Sequence, residues 1–449
     1  MPATRELAGL LGLNRATITA AYELLETDGL ITRHVGRGSF VSSGKAAEGI
    51  RWPDLFNRVE PVPAGPATGR NCISFIVSRP SAELFPLDEF RASCEAVLRR
   101  SDLAEILQLG SPSGYPPLRQ LLLEEARAKG LAGPNDDLIV TNGCQQALDL
   151  ICRVLLRPGD AVVVEDPVYT GLKNLLSGLG AKLVGVAMGA DGVDVAQLER
   201  ALERERPRFL VLTSNFQNPT GATIPLASRK ALLDAAHRFG VPVVENDPYG
   251  DLRYIGEPLP AIKQLDERGG TVLLRSFSKV SFPGLRVGWA LGPKPLIDRM
   301  RNAKESSDLH TDQLSQAVLL EFMESGRLEA HRLRILRAGE ERLSAILEAC
   351  RAFLPEGTRW TRPEGGMNIW VQLPAPLDSS EVLPRAQREG VAYLPGRYFA
   401  VSRPDPSALR LSFAGLTPER IRQGVAILGR IAGEVDSVPG GVEPVSALV

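Results

Sequence analysis

Charge of one sign, paired cysteines, clustered histidines and long apolar runs are all missing from this 449-residue chain. Lysine and arginine total 52 against 53 acidic residues, a formal net charge of -1. That excludes a uniformly basic nucleic-acid coat but leaves room for a local basic patch. The five cysteines, Cys72, Cys94, Cys144, Cys152 and Cys350, form no Cys-x-x-Cys pair. The expectation is a reduced, cytoplasmic protein without a disulfide framework. His34, His237, His310 and His331 lie far apart, so no metal site is expected. No stretch reaches the roughly 18 apolar residues of a membrane span. The opening residues lack the apolar core of a signal peptide. What remains is a globular composition, 44% hydrophobic and 23% charged, long enough for two or three domains.

Three zones follow. Residues 1–43 carry two short helical patterns and a Gly-punctuated ribbon. Residues 44–70 hold Pro53, Pro61, Pro63 and Pro66 and read as a linker. Residues 71–432 form a long α/β pattern, with a large lobe to about 330 and a smaller α+β lobe from about 331. Residues 433–449 read as a frayed tail. Buried parallel strands are expected at Leu138–Thr141, Ala161–Glu165, Lys182–Val186, Phe209–Thr213, Val241–Glu245 and Thr271–Arg275. Helices are expected at Gln145–Leu156 and Arg229–Phe239, and one long helical stretch at Gln313–Ala349.

In the first zone Thr4 is the expected cap of a short helix that turns at Gly12. A second helix opens at Asn14 and stops before Gly29. A hairpin then bends at Gly36 and Gly38. Leu7, Leu10, Leu11, Leu13, Ile18, Tyr22 and Leu25 are expected to form one small core. The order is helix-turn-helix plus wing, and it resembles the winged helix of the GntR family of bacterial regulators. The resemblance implies that Asn14, Arg15 and Thr17 face DNA and that Arg33, His34 and Arg37 approach the backbone or minor groove. Such modules carry a further helix before this point. Here Met1 falls inside the approach to Thr4, so either the start lies upstream or the winged helix is incomplete.

In the long zone, short motifs follow strand ends, where α/β folds bind ligands. They are Thr141–Leu148 (TNGCQQAL), Glu165–Tyr169 (EDPVY), Ser214–Gly221 (SNFQNPTG), Glu245–Tyr249 (ENDPY) and Ser276–Arg286 (SFSKVSFPGLR), with Arg410–Phe413 (RLSF) near the end. Gly143, Cys144 and Gln145 lie where backbone N–H groups at a helix start hold a phosphate. Ser276, Ser278 and Arg286 add hydroxyls and a permanent charge. Lys279 is a candidate Schiff-base amine. Tyr169 suits stacking on an aromatic ring, and Asn218 and Tyr249 suit hydrogen bonds to a ring hydroxyl. Each motif alone is an ordinary turn, surface lysine or half-buried aromatic, and Arg410 alone is an ordinary strand salt bridge. Their order is what carries weight.

Together they resemble the fold-type-I pyridoxal-phosphate aminotransferases of classes I and II. The resemblance implies that pyridoxal 5'-phosphate is the cofactor and Lys279 its catalytic amine, shuttling the substrate proton. It also implies that Arg410 binds the substrate α-carboxylate and that the chain forms a two-lobed homodimer. Two positions depart from the pattern. Where an Asp would sit against the pyridine nitrogen, three residues before Tyr249, stands Asn246; Asp247 is adjacent but belongs to the opposite strand face unless a bulge turns it in. Leu109 stands where a Tyr would reach the partner's phosphate, and Tyr115 is out of register. The expected fold class is therefore α/β: an incomplete winged helix-turn-helix followed by a fold-type-I transferase with a large α/β domain and a small α+β domain.

A winged helix joined to such a domain resembles the MocR subgroup of GntR regulators. That implies a cofactor-binding regulator that senses an amino compound, or the cofactor itself, and acts on promoter DNA. The alternative is a working aminotransferase of the aromatic or 2-aminoadipate type with a vestigial N-terminal segment. A cofactor-free homologue is least favoured, because Lys279 and Arg286 are both present.

Overall fold

The computed structural model describes residues 1–34, 38–42, 72–189 and 192–436, in two compact units. The expected linker and most of the tail lie outside the described residues, as does Arg37.

The first unit contains helices Thr4–Leu11 and Arg15–Thr27, then an antiparallel ribbon of Ile31–His34 and Gly38–Val41. The second helix starts sharply because Asn14 caps it, its Oδ1 accepting from the Ala16 N–H at 2.9 Å. Ala3, not Thr4, is the residue at the cap position of the first helix. The core is smaller than expected. Ala8, Ile18, Tyr22 and Ile31 are buried, with Leu7 and Leu25 against them. Leu10, Leu11 and Leu13 are exposed, as are Leu24 and Leu30. Two short helices and a two-stranded ribbon bury only one stripe of each helix; Leu10, Leu11 and Leu24 fall on the other, and Leu13 and Leu30 lie in the turns on either side of the second helix.

The second unit is built on an eight-stranded sheet among the described residues. Its order is Asp136–Thr141, Gly288–Pro293, Thr271–Ser276, Val243–Asn246, Phe209–Leu212, Ala161–Asp166, Lys182–Gly189 and Gly192–Val193. Neighbours from Thr271–Ser276 to Lys182–Gly189 run parallel. Gly288–Pro293, unforeseen in the sequence, runs antiparallel between Asp136–Thr141 and Thr271–Ser276. Apolar side chains pack on both faces, which explains the near-continuous Val, Ile and Leu runs.

The expected single helix at 313–349 is two, Gln313–Glu324 and Arg327–Phe353. Gly326, at φ 76°, ends the first and admits the change of direction. The second leads into a four-stranded antiparallel sheet of Arg359–Trp360, Asn368–Gln372, Ala408–Ser412 and Leu394–Pro395. This smaller lobe also takes in Ile73–Ser74, which pairs parallel with Val391–Ala392. Its core therefore includes Ile73 and Phe75 from the start of the large zone.

Candidate cofactor and ligand site

A cavity of about 340 Å³ opens at the carboxyl ends of the parallel strands, between the two lobes. The large lobe contributes Cys144, Gln145, Tyr169, Asn218, Asn246, Tyr249, Ser276, Ser278, Lys279 and Arg286; the small lobe contributes Leu394 and Arg410. Ile76, Val77 and Ser78 close a further wall. Three cationic side chains thus face one space that no Asp or Glu lines.

Lys279 follows Thr271–Ser276 on a single turn of 3-10 helix. Its Nζ donates to the Ser78 carbonyl at 2.7 Å and lies 5.4 Å from the Tyr249 ring centre. Burial pulls its ammonium down to about 8; Arg410 and Arg286 act the same way, while Cys144 opposes them. An amine so placed is partly neutral near physiological pH, which is what a nucleophilic lysine requires.

Arg286 is held in the left-handed region, at φ 55°. Its guanidinium donates to Ser278 Oγ at 3.1 Å and to the Asn142 carbonyl at 2.9 Å. Ser276 Oγ meets Ser278 Oγ at 3.0 Å. Beside them Gly143 starts the helix Cys144–Leu155 with φ 79°, and a Cβ there would lie 2.6 Å from Arg286 Nη2. Hydroxyls, a fixed guanidinium and a helix start therefore converge, and this donor set fits a phosphate dianion. Burial pushes the Cys144 thiol up to about 12, which favours its protonated form near neutral pH.

Arg410 is buried, donating to Asn218 Oδ1 at 3.1 Å and to the Ile76 carbonyl. Burial lowers it to about 10, and its Nε has no partner. A buried guanidinium with a donor left over is matched by a carboxylate. Tyr249 is buried, and burial raises its phenol; Arg410 and hydrogen bonds from Asn218 and Asn368 counter that rise. Tyr169 packs over Gly171, whose added Cβ would come within 2.5 Å of the ring.

The two candidates beside Tyr249 separate cleanly. Asn246 lines the cavity, and its buried Oδ1 has no partner. Asp247, proposed from the sequence as an alternative contact, does not reach the cavity. It is fully buried on the other side, 2.8 Å from Arg275, and accepts from Asn215 Nδ2 at 3.0 Å. Strand alternation places it there, and no bulge intervenes. The orphaned Asn246 Oδ1 accepts from a pyridine ring nitrogen only where the nitrogen is protonated, while the Nδ2 of the same amide can donate to an unprotonated one. Leu109 is exposed, and Tyr115 is buried in the large lobe with its hydroxyl 3.4 Å from Arg100.

Ile76, Val77 and Ser78 carry no motif in the sequence, because only the paired lobes bring them to the cavity; Asn368, which bonds Tyr249 from behind the lining, carries none either. The alternation at Cys72–Phe75 was the one available hint of a strand there.

In the first unit Arg15, Thr17 and His34 are exposed. Asn14 is partly spent on its cap. Arg33 pairs with Glu26 at 3.1 Å and donates to the Thr19 carbonyl, and His34 packs edge-on against Phe40. Among the described residues no group of His, Cys, Asp and Glu is arranged to hold a metal, and no helix is long and apolar enough to cross a membrane.

Comparison with known proteins places both units. Residues 85–428 match the family model for aminotransferase class I and II. Residues 1–41 match that for bacterial regulatory proteins of the gntR family. Aromatic-amino-acid aminotransferase 1 of Thermococcus litoralis is 36% identical over 81% of this chain and 88% of its own length. The probable rhizopine catabolism regulatory protein MocR of Rhizobium meliloti is 29% identical, but over 95% of this chain and 87% of its own. Among solved structures, the α-aminoadipate aminotransferase LysN of Thermus thermophilus, complexed with N-(5'-phosphopyridoxyl)-L-leucine, superposes with a TM-score of 0.78 at 35% identity. That match covers 87% of this chain and all (100%) of LysN.

Proposed function

The chain belongs to the class I and II aminotransferase family and joins that domain to a GntR module in the MocR arrangement, and from this we propose a transcriptional regulator that reads an amino compound through bound pyridoxal 5'-phosphate. The observation that carries the reading is the cavity itself: Lys279, Arg286 and Arg410 facing one space without an acid. One ligand set satisfies all three, a phosphorylated aldehyde with an α-amino acid beside it.

When bound, the cofactor supplies a carbonyl for the ligand's amine and a ring that withdraws electrons. The chain's own residues do the rest. Arg286, Ser276, Ser278 and the start of helix Cys144–Leu155 hold the phosphate. Tyr169 covers the ring face. Asn218 and Tyr249 bind the ring hydroxyl. Arg410 orients the carboxylate, and Lys279 holds or moves the proton at Cα. Asn246 offers the ring nitrogen a neutral amide, which cannot stabilise a positive charge there as a carboxylate would. That favours holding a ligand over turning it over.

Arg15, Thr17 and His34, with Asn14, Arg33 and Arg37, are proposed to meet promoter DNA, and the working form is proposed to be a cytoplasmic homodimer. Ligand and DNA binding are then linked through a difference in contacts between two states. The test is to titrate amino acids against the visible absorbance of the cofactor-loaded chain, with and without promoter DNA. A ligand whose apparent affinity shifts with DNA supports the regulator. Sustained turnover that ignores DNA supports a working aminotransferase, the reading favoured by the higher identity to the aromatic-amino-acid enzyme.

A further inference from the structure

A polar cluster that the cavity chemistry does not use lies behind the turn Asn142–Gln145. Lys304, in helix Lys294–Asp308, is fully buried. Its Nζ donates to Asp308 Oδ1 at 2.8 Å and to Gln146 Oε1 at 2.9 Å. Asp308 Oδ2 accepts from Asn142 Nδ2 at 2.9 Å and from Gln146 Nε2 at 2.6 Å. Gln146 Oε1 also accepts from the Asn142 backbone N–H at 2.9 Å. The Asn142 carbonyl in turn accepts from Arg286. None of Lys304, Asp308, Gln146 and Asn142 lines the cavity.

An ion pair with its lysine fully buried and its Asp308 carboxylate half-buried is a poor stabiliser, since desolvating the lysine offsets much of the attraction. What it does provide is direction. Asn142 is fixed at its side chain, its N–H and its carbonyl at once, and the next residue is the Gly143 that leaves no space before Arg286. Resting on the reading of the cavity as a pyridoxal-phosphate site, we propose that Lys304, Asp308 and Gln146 are positioning residues that brace the Asn142–Gln145 turn and Arg286 for the cofactor's phosphate. Outer-shell partners of this type set the orientation of the groups they touch and tune affinity without touching ligand.

The test compares pyridoxal 5'-phosphate with phosphate-free pyridoxal, measuring both dissociation constants by absorbance on the full chain. Gln146→Met removes the bridge and leaves the Lys304–Asp308 pair intact; Asp308→Asn removes the central acceptor's charge. Each is expected to weaken the phosphorylated form about tenfold and the phosphate-free form by less than about twofold. Equal weakening of both forms, or of neither, overturns the inference. If Asp308→Asn fails to fold, Gln146→Met alone decides. Arg286→Ala serves as the control: if it and the wild type treat the two forms alike, the cofactor reading itself fails and takes the brace with it. If Arg286→Ala discriminates and Gln146→Met does not, only the brace fails.

Discussion

Arg275 holds Asp247 at 2.8 Å, away from the cavity that Asn246 lines, and so keeps the carboxylate next in sequence from the place proposed for the ring nitrogen. Reversing the chemistry at Asn246 should therefore reverse its effect. Asn246→Asp is expected to raise the half-transamination rate at least about tenfold, the scale of a preorganised charge in a dry site. Single-turnover absorbance with an amino acid checks this. An unchanged rate would mean that the nitrogen has another partner.

Lys279→Ala should abolish the visible absorbance band of the bound cofactor, and borohydride should then leave no pyridoxyl group on the protein by mass spectrometry. Retention of both signals would remove Lys279 from the role.

With its ammonium pulled down to about 8, Lys279 should capture cofactor at a rate that rises with pH and levels off just above that value. At pH 7 about one such amine in ten is neutral, against about one in three thousand for an ordinary lysine. Between pH 8 and the ordinary value near 10.5 the unfolded chain binds the extra proton, so stability of the cofactor-free protein should also rise with pH there. A capture rate still climbing at pH 10 would contradict the depressed value.

Loss of the Arg286 guanidinium removes a charged hydrogen-bond donor to phosphate, worth about 1.5–3 kcal/mol. Arg286→Ala should accordingly raise the dissociation constant of pyridoxal 5'-phosphate about tenfold to a hundredfold. Equilibrium titration measures it, and a change below threefold would place the phosphate elsewhere.

In the first unit, Arg37→Ala should weaken DNA binding across sequences and lower the salt slope by about 0.9. Fluorescence anisotropy at several salt concentrations reads this directly. An unaltered slope takes that arginine off the backbone.

The cavity was legible in the sequence to the extent that its residues sit at strand ends. Gly143, Asn218 and Lys279 each follow a Val- or Leu-rich run within a few residues, so local pattern alone lines them up, whereas Arg286 lies just before strand Gly288–Pro293. Arg410 and the Asn246 register came from resemblance and strand alternation together. The rest depends on contacts distant in sequence, to which periodicity is blind: the wall at Ile76–Ser78, the antiparallel strand Gly288–Pro293 and the brace from Lys304. The break at Gly326 was missed because apolar spacing continues on both sides of it. Ile18, Tyr22, Leu7 and Leu25 of the expected core of the first unit do pack together, while Leu10, Leu11 and Leu13 fall outside it, since an apolar residue in so small a unit need not find a neighbour.

The strand Ile73–Ser74 gives the site a mechanical aspect. It is the first described element after the segment that leaves the winged helix, and it is stitched to Val391–Ala392 of the small lobe. Two residues later the same backbone offers the Ile76 carbonyl to Arg410, and then that of Ser78 to Lys279. A ligand that engages those two cations must compete for, or rearrange around, the very carbonyls on this strip. Occupancy of the cavity therefore bears on the backbone from Ile73 to Ser78 itself, and not only on the side chains that line the pocket.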